Sequence, residues 1–426
     1  MTATRPPLIP KRFLLVLGTF LLSVLLYVDR VCISTAKEPI SRDLNLSEVE
    51  FGLAMSIFAL GYALFQTPGG WLADRLGPRR VLTAVVVFWS IFTGLTAAAY
   101  RLSVLLVTRF LFGAGEAGAF PGIARATFSW IPMAERGIVQ GINFSGSRLG
   151  AALAMPLVGG MIATIGWRTS FVILMLVGFA WAVFWFFWFR NDPTEHPRIG
   201  QEELDHILRT RQHADAGEAQ EAPPLSVGTL LGSRNVWFIS AQYFCSNFTF
   251  FFCLTWLFPH LKGKYELDAF DAGMYAATPL VYGAFGNWFA GWLVDRIYRA
   301  DRWVLSRRLP AMVGYLLAAV GLIGSVYVDT PLASCLWFSL AIFGADMTLA
   351  PSWSFCVDIG KSHAGVVSGT MNMAGNLGSF LTGLAFPTLA LWTGSYTPFF
   401  FVAAGLNLLA IGLWMVVRPD RSLEEY

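Results

Sequence analysis

Four charged side chains stand where charge is costly. Asp29 and Arg30 lie near the end of an apolar run that begins at Phe13, and Arg109 and Glu116 lie inside a later one. A charge at membrane depth costs roughly 2.5–3.5 kcal/mol on insertion scales. A chain keeps such a group where a partner, a cavity or a ligand compensates it. Arginine is always ionised and presents a planar fork suited to a carboxylate. A carboxylate in low dielectric is a ready proton acceptor. Together these residue types suggest a path for an anion and a proton. Arg109 and Glu116 are seven residues apart, two helical turns, so they share a face. They either pair when Glu116 is ionised and separate when it is protonated, or form a static ion pair that fixes helix packing. Asp29 and Arg30 are adjacent, point in different directions and need separate partners.

Other polar groups interrupt later apolar runs. One run carries Asn143, Ser145, Ser147 and Arg148, and another carries Asp346 with Trp353 seven residues on. Arg148 either faces a cavity or pairs with an acid on another helix. Asp346 has three open roles: accepting hydrogen bonds from a polyol, pairing with Arg148, or sharing proton coupling. Trp353 either stacks on a substrate face or is a packing or lipid-facing aromatic. Gln242, Tyr243, Asn247 and Thr249 share one further run that has no charge.

The elements that hold these residues must be membrane helices. The chain has 426 residues, 55% hydrophobic and only 13% charged; its mean hydropathy is +0.57. Soluble domains carry about 25% charged residues. Twelve apolar segments approach or exceed the ~20 residues that cross a bilayer. They fall at roughly 13–35, 50–73, 80–100, 103–127, 137–163, 168–190, 235–259, 270–295, 308–328, 331–356, 365–392 and 396–417. The first is longer than the apolar core of a cleavable signal peptide, and more spans follow it. An even number of spans puts both termini on one side. The loops on that side hold most of the Lys and Arg, whereas the opposite loops hold Lys37, Arg42, Arg101, Arg168, Lys262 and Lys264. By the positive-inside rule both termini are expected in the cytoplasm. No CxxC pair occurs, so neither a disulfide framework nor a metal site is expected. The histidines lie in loops or at span ends, which leaves carboxylates to relay protons.

A hydrophilic stretch at 191–234 divides six spans from six. This predicts an N-terminal six-helix bundle over 1–190, a central loop, and a C-terminal bundle over 235–426. Within the loop, Leu204, Ile207 and Leu208 have helical spacing between Gln201 and Gln212. That predicts a short amphipathic helix on the cytoplasmic face, followed by a flexible linker at 213–224. The halves also repeat. Gly70-Trp71-Leu72-Ala73-Asp74-Arg75 returns as Gly291-Trp292-Leu293-Val294-Asp295-Arg296 at the same place in the second half. A duplicated six-helix unit predicts an all-α membrane protein of twelve transmembrane helices in two pseudo-twofold bundles, with its site at the repeat interface.

The first copy reads in full Gly70-x-x-x-Asp74-Arg75-x-Gly77-x-Arg79-Arg80 and resembles the signature loop of the major facilitator superfamily. Tyr27-Val28-Asp29-Arg30, Gly61-Tyr62, Gln66-Thr67-Pro68-Gly69-Gly70, Arg109-x-x-x-Gly113-x-Gly115-Glu116, Phe120-Pro121 and Gly369-Thr370-Met371-Asn372 look like its anion:cation symporter family. That family includes bacterial sugar-acid permeases and vesicular glutamate and sialic acid transporters. The resemblance implies that Arg30 binds a substrate carboxylate, with Asp29 and Glu116, beside Arg109, as proton-coupling groups. It implies that Tyr62 and Asn372 hydrogen-bond the substrate and that Ser147 faces it. Tyr27, Arg148 and Trp353 complete the candidate substrate set. Asp74 and Arg75, repeated as Asp295 and Arg296, would form a conformational latch.

The function expected is proton-coupled import of an organic anion by alternating access, most of all a six-carbon sugar acid. No cofactor is expected beyond the proton gradient. The expected partners are the anion, protons and lipid, with no nucleic acid, and the carrier is expected as a monomer in a bacterial inner membrane. An aromatic or dicarboxylate carrier and a proton-coupled exporter are the alternatives. A drug/proton antiporter is disfavoured, because Met155 rather than Gly precedes Pro156. A receptor lacks an output domain, and an enzyme lacks a His cluster, Walker loop or nucleophile elbow.

Overall fold

The computed structural model describes residues 9–212 and 225–423, and every regular element among them is helical. The linker expected at 213–224 lies outside the described residues. Among the described residues nine helices are long and apolar enough to cross a membrane, or ten if the pair Arg234–Thr255 and Leu257–Tyr265, bent by 55°, is one span. One of the nine, Pro331–Thr393, runs for 63 residues. At 1.5 Å per residue that is about three bilayer thicknesses. The 3-10 turn Lys361–His363 divides it into two spans, the first of which is itself interrupted at Thr348. Ala269–Arg299 has the length of a span but falls short in mean hydropathy. With it, the twelve expected spans are all present.

Two compact units emerge, and they cut across the sequence halves. The first holds Met1–Arg136, Leu153–Pro224 and Gly360–Gly369; the second holds Gly137–Ala152, Leu225–Ile359 and Thr370–Tyr426. The first turns of the fifth span thus belong with C-terminal helices. The first turns of the eleventh belong with N-terminal ones.

The first unit is built on Lys11–Thr35, Glu48–Leu76, Pro78–Ala97, the broken fourth span Leu102–Glu116 plus Ala119–Trp130, and Trp167–Trp188. Its core gathers Val28, Cys32, Phe51, Leu105 and Phe171. Ser47 and Glu50 cap the second span reciprocally, the side chain of each meeting the other's backbone N–H. Gly77 ends that span at φ +78° and ψ 149°, a region open almost only to glycine. A Cβ there would also strike Asn191, whose Oδ1 accepts from Arg79 N at 3.0 Å. In the central loop a helix runs Gln201–Thr210 with Ile207 buried, and Glu203 accepts from the Lys11 and Arg12 amides at 2.8 and 2.9 Å.

The second unit is built on Arg234–Thr255, Leu257–Tyr265, Ala269–Arg299, Trp303–Val326, Pro331–Met347, Leu349–Gly360 and Thr397–Val416, with most of Ala364–Thr393. Phe248, Phe252, Phe338, Phe386, Phe399 and Phe400 form its core. Large apolar side chains point outward from both units, among them Phe187 at 69% exposed and Leu391 at 84%. Such a surface suits a hydrocarbon solvent rather than water.

Candidate functional site

Asp29 and Arg30 are separated by about 100° around their helix, so their side chains diverge. Asp29 turns to the third span, where its Oδ2 accepts from Trp89 Nε1 at 3.0 Å. Arg30 turns to the fourth, where its Nε donates to Glu116 Oε2 at 2.6 Å. Its guanidinium carbon also lies 4.2, 5.1 and 5.5 Å from the ring centres of Tyr62, Tyr27 and Phe58. The arginine is therefore held by one carboxylate oxygen and an aromatic collar. Arg30 Nη2, Glu116 Oε1 and Asp29 Oδ1 are buried with no hydrogen-bond partner among the described residues.

Arg109 does not pair with Glu116, contrary to one reading of their shared face. Its guanidinium carbon rests 4.7 Å from the Phe112 ring centre and 4.9 Å from that of Phe58. Two turns separate the residues by about 10 Å, and a helical side chain leans toward its own N-terminus. Arg109 thus leans away from Glu116, and Arg30 on another helix reaches the carboxylate first. Phe58 serves both arginines.

In the second unit Arg148 takes the ion-pair alternative. Its Nε and Nη2 meet Asp346 Oδ2 and Oδ1 at 2.7 and 2.5 Å, a bidentate pair. Phe250 lies with its ring centre 3.7 Å from the guanidinium carbon. Arg148 and Asp346 are 5% and 1% exposed, so the pair is sealed. Trp353 is 1% exposed and faces no lipid. Its Nε1 donates to Tyr243 Oη at 3.1 Å, and its ring tilts against Phe144 at 5.2 Å. Ser147 is buried, and its Oγ has no hydrogen-bond partner among the described residues. Asn372 is buried on the eleventh span. The uncharged polar groups of the seventh span have structural tasks. Gln242 Oε1 accepts from Tyr315 Oη and Trp414 Nε1, and Thr249 Oγ1 accepts from Asn407.

The repeated loops do the same thing twice. Asp74 Oδ1 and Oδ2 accept from the amides of Gly365 and Val366, both at 2.8 Å, at the start of the eleventh span. Asp295 accepts from Gly137 and Ile138, both at 2.8 Å, at the start of the fifth. Each carboxylate thus neutralises the positive end of a long helix. Glycine makes the approach possible: a Cβ on Gly365 would strike Gly70 O, and one on Gly291 would strike Gly137 O. Arg75 and Arg296 fold over Trp71 and Trp292, at 5.2 and 5.3 Å.

A model of the Major Facilitator Superfamily matches residues 19–383. The chain belongs to the Major Facilitator Superfamily. It is a multi-pass membrane transporter and not an enzyme. It is 34% identical to the probable sulfoacetate transporter SauU of Cupriavidus necator, over 96% of each chain. It is 32% identical to the hexuronate transporter of Bacillus subtilis, over 95% of this chain and 94% of that one. With the probable galactarate/D-glucarate transporter GarP of Escherichia coli it shares 31%, over 96% and 95%. Solved structures share its fold at lower identity. A double-tryptophan mutant of XylE aligns with a TM-score of 0.75 at 18% identity, over 97% of this chain and 98% of that one. The human organic anion transporter MFSD10 aligns at 0.71 and 16%, over 95% and 100%.

Within this superfamily member the charge sites differ in what they leave open. Every ionic member of the Arg30–Glu116 and Arg148–Asp346 pairs is legible in the sequence, whereas Phe58, Trp89, Phe250 and Arg125, whose Nε lies 3.9 Å from Asp74, are not. Three of the four are aromatic residues in apolar runs. In such runs aromatic side chains carry no distinguishing signal.

Proposed function

We propose that this chain is a proton-coupled symporter that imports an organic anion across a bacterial inner membrane, as a monomer with both termini cytoplasmic and no cofactor. One observation carries the reading. Half-buried Arg30 and fully buried Glu116 form a pair in which one buried arginine nitrogen, Nη2, and one oxygen of the carboxylate lack hydrogen-bond partners among the described residues. A pair in this state can exchange its internal anion for an external one. A proton on Glu116 cancels its charge and loosens its hold on Arg30. The substrate carboxylate then takes the guanidinium fork, and the total buried charge is unchanged. Binding of the anion and of the proton are thereby linked, because either alone leaves a buried charge uncompensated. Asp29, anchored by Trp89, is the second carboxylate available to this exchange. Tyr27 and Tyr62 hold the guanidinium in place, and Arg109 keeps the surroundings positive.

We favour a six-carbon sugar acid with one carboxylate. Arg148 is consumed by Asp346, which leaves Arg30 as the anion anchor. Tyr62, 4.2 Å from the Arg30 guanidinium carbon at its ring centre, carries the hydroxyl-recognition role in this reading. Each unpaired buried hydroxyl would cost roughly 1–3 kcal/mol, so such groups set selectivity. The relatives' names span sulfoacetate, hexuronate and galactarate or glucarate, all organic anions. The first of these favours a second reading, a small sulfonated carboxylate.

The test is uptake into proteoliposomes of labelled glucuronate, galactonate, glucarate, sulfoacetate and phthalate, with and without an inward proton gradient. A sugar acid is expected to be taken up best, to accumulate only with the gradient, and to fail in Arg30→Ala. Uptake indifferent to both the gradient and Arg30 overturns the mechanism. Stronger uptake of sulfoacetate or phthalate overturns the sugar-acid assignment alone.

A further inference from the structure

The second unit contains a cavity of about 780 Å³ that none of the foregoing chemistry uses. It lies where the seventh, ninth and eleventh spans end and the twelfth begins, the end of the unit away from the C-terminus. The bend of 55° in the seventh span opens it, because Trp256 sits at the break and His260 follows one turn later. His260 is 8% exposed, and the ring centres of Phe252, Phe386, Tyr396 and Phe400 lie 5.4–6.1 Å from its own. Trp256 stacks on Phe386 at 5.4 Å, and Phe386 stacks on Tyr396 at 4.8 Å, so one wall is a continuous aromatic surface.

Two buried polar atoms stand in this apolar setting without hydrogen-bond partners among the described residues: His260 Nδ1 and Trp256 Nε1. An orphaned group of this kind is destabilising unless something binds it. The indole N–H can only donate, so its natural partner is an acceptor. The electrostatics agree. Lys264 lines the cavity, no lining residue is acidic, and Ser395, Tyr396 and Thr397 bring the start of the twelfth span to its edge. The first amides of that helix, Thr397–Val416, are met within the protein: Thr397 N donates to Ser395 Oγ at 3.2 Å and Phe399 N to Tyr396 O, so the positive field at the cavity comes from Lys264.

We propose that this cavity is a second ligand site, separate from Arg30, that takes an aromatic carboxylate. The ring lies along the Trp256–Phe386–Tyr396 wall. The carboxylate accepts from Trp256 Nε1 under the field of Lys264, and His260 supplies a further polar contact. Aromatic stacking and a charge-assisted hydrogen bond are both needed, which selects against neutral aromatics and against saturated acids.

The probe is labelled benzoate, measured by equilibrium dialysis on the full-length protein in detergent and in nanodiscs. Saturable binding of one equivalent is expected, and it survives in Arg30→Ala, which separates this site from the proposed transport site. Trp256→Phe keeps the ring and removes the donor. It is expected to weaken binding about tenfold, the loss of one hydrogen bond to a charged group. Ser395→Trp, at an exposed rim position, fills the cavity and is expected to abolish binding. Benzamide and cyclohexanecarboxylate are each expected to bind at least about tenfold more weakly than benzoate. Absence of saturable benzoate binding overturns the site. So does binding that Arg30→Ala abolishes, or that both Trp256→Phe and Ser395→Trp leave intact. Equal binding of benzamide overturns the anion assignment, and equal binding of cyclohexanecarboxylate overturns the aromatic one.

Discussion

Each compact unit sets an arginine against a buried carboxylate from another helix, yet the two pairs differ in completeness and in exposure, Arg30 being 18% exposed and Arg148 5%. Arg148 engages Asp346 with two N–H groups on two oxygens, closed over by Phe250. Arg30 engages Glu116 through one N–H and one oxygen, leaving Nη2 and Oε1 without partners. A saturated pair has nothing to gain from a ligand, and opening it exposes two charges to low dielectric. A half-saturated pair has capacity for another anion and another proton. The difference assigns structural work to the second unit's pair and exchange work to the first's.

Breaking the saturated pair gives the largest expected effect. Arg148→Met strands Asp346 as a buried charge and is expected to cost about 3–5 kcal/mol of stability. The double variant Arg148→Met/Asp346→Leu is expected to recover most of that in chemical denaturation. If Arg148→Met is stable but loses substrate binding, the pair belongs to the transport chemistry and the comparison fails.

Arg30→Lys keeps the charge and loses the fork. Substrate affinity is expected to fall on the order of a hundredfold, within the 2–5 kcal/mol typical of truncated buried charge pairs, while the protein stays folded. Equilibrium binding in detergent reads this directly, and wild-type affinity in a folded Arg30→Ala variant removes Arg30 from the site.

Glu116→Gln imitates the protonated state. It is expected to exchange substrate across the membrane but to lose gradient-driven accumulation, which is about tenfold per pH unit for one proton per anion. Intact gradient-driven uptake moves coupling to Asp29, which keeps the comparison, or to Asp346, which breaks it by giving the saturated pair a proton to carry.

The smallest effect concerns the repeated loops. Asp74→Asn and Asp295→Asn each weaken a helix-end contact worth roughly 0.3–1 kcal/mol. Turnover is expected to slow a few-fold with affinity unchanged. A large loss of affinity at equilibrium contradicts a conformational role.

Much of this was legible before any coordinates. The apolar runs marked the spans because a membrane helix must hide its backbone and show apolar side chains all round. The repeated Gly70–Arg75 and Gly291–Arg296 hexapeptides marked the duplication, and their aspartates do equivalent work. The divergence of Asp29 and Arg30 followed from 100° per residue. The partners did not follow. A shared face suggested Arg109 for Glu116, but side-chain direction along a helix and a nearer arginine on another decided otherwise.

The sequence by itself determined which charges are buried, because their position within apolar runs leaves them no water. It also determined where helices start, through residues whose effects are local, such as Ser47, which caps the second span, and Gly77, after which the third begins. Only the tertiary structure decided which carboxylate meets which arginine and which of those pairs is complete. It alone brought the first turns of the fifth and eleventh spans into the opposite sequence half's unit, where Asp295 and Asp74 cap them. The reason is physical: periodicity orients a side chain about its own helix axis, whereas a partner is set by the approach of a second helix distant in sequence.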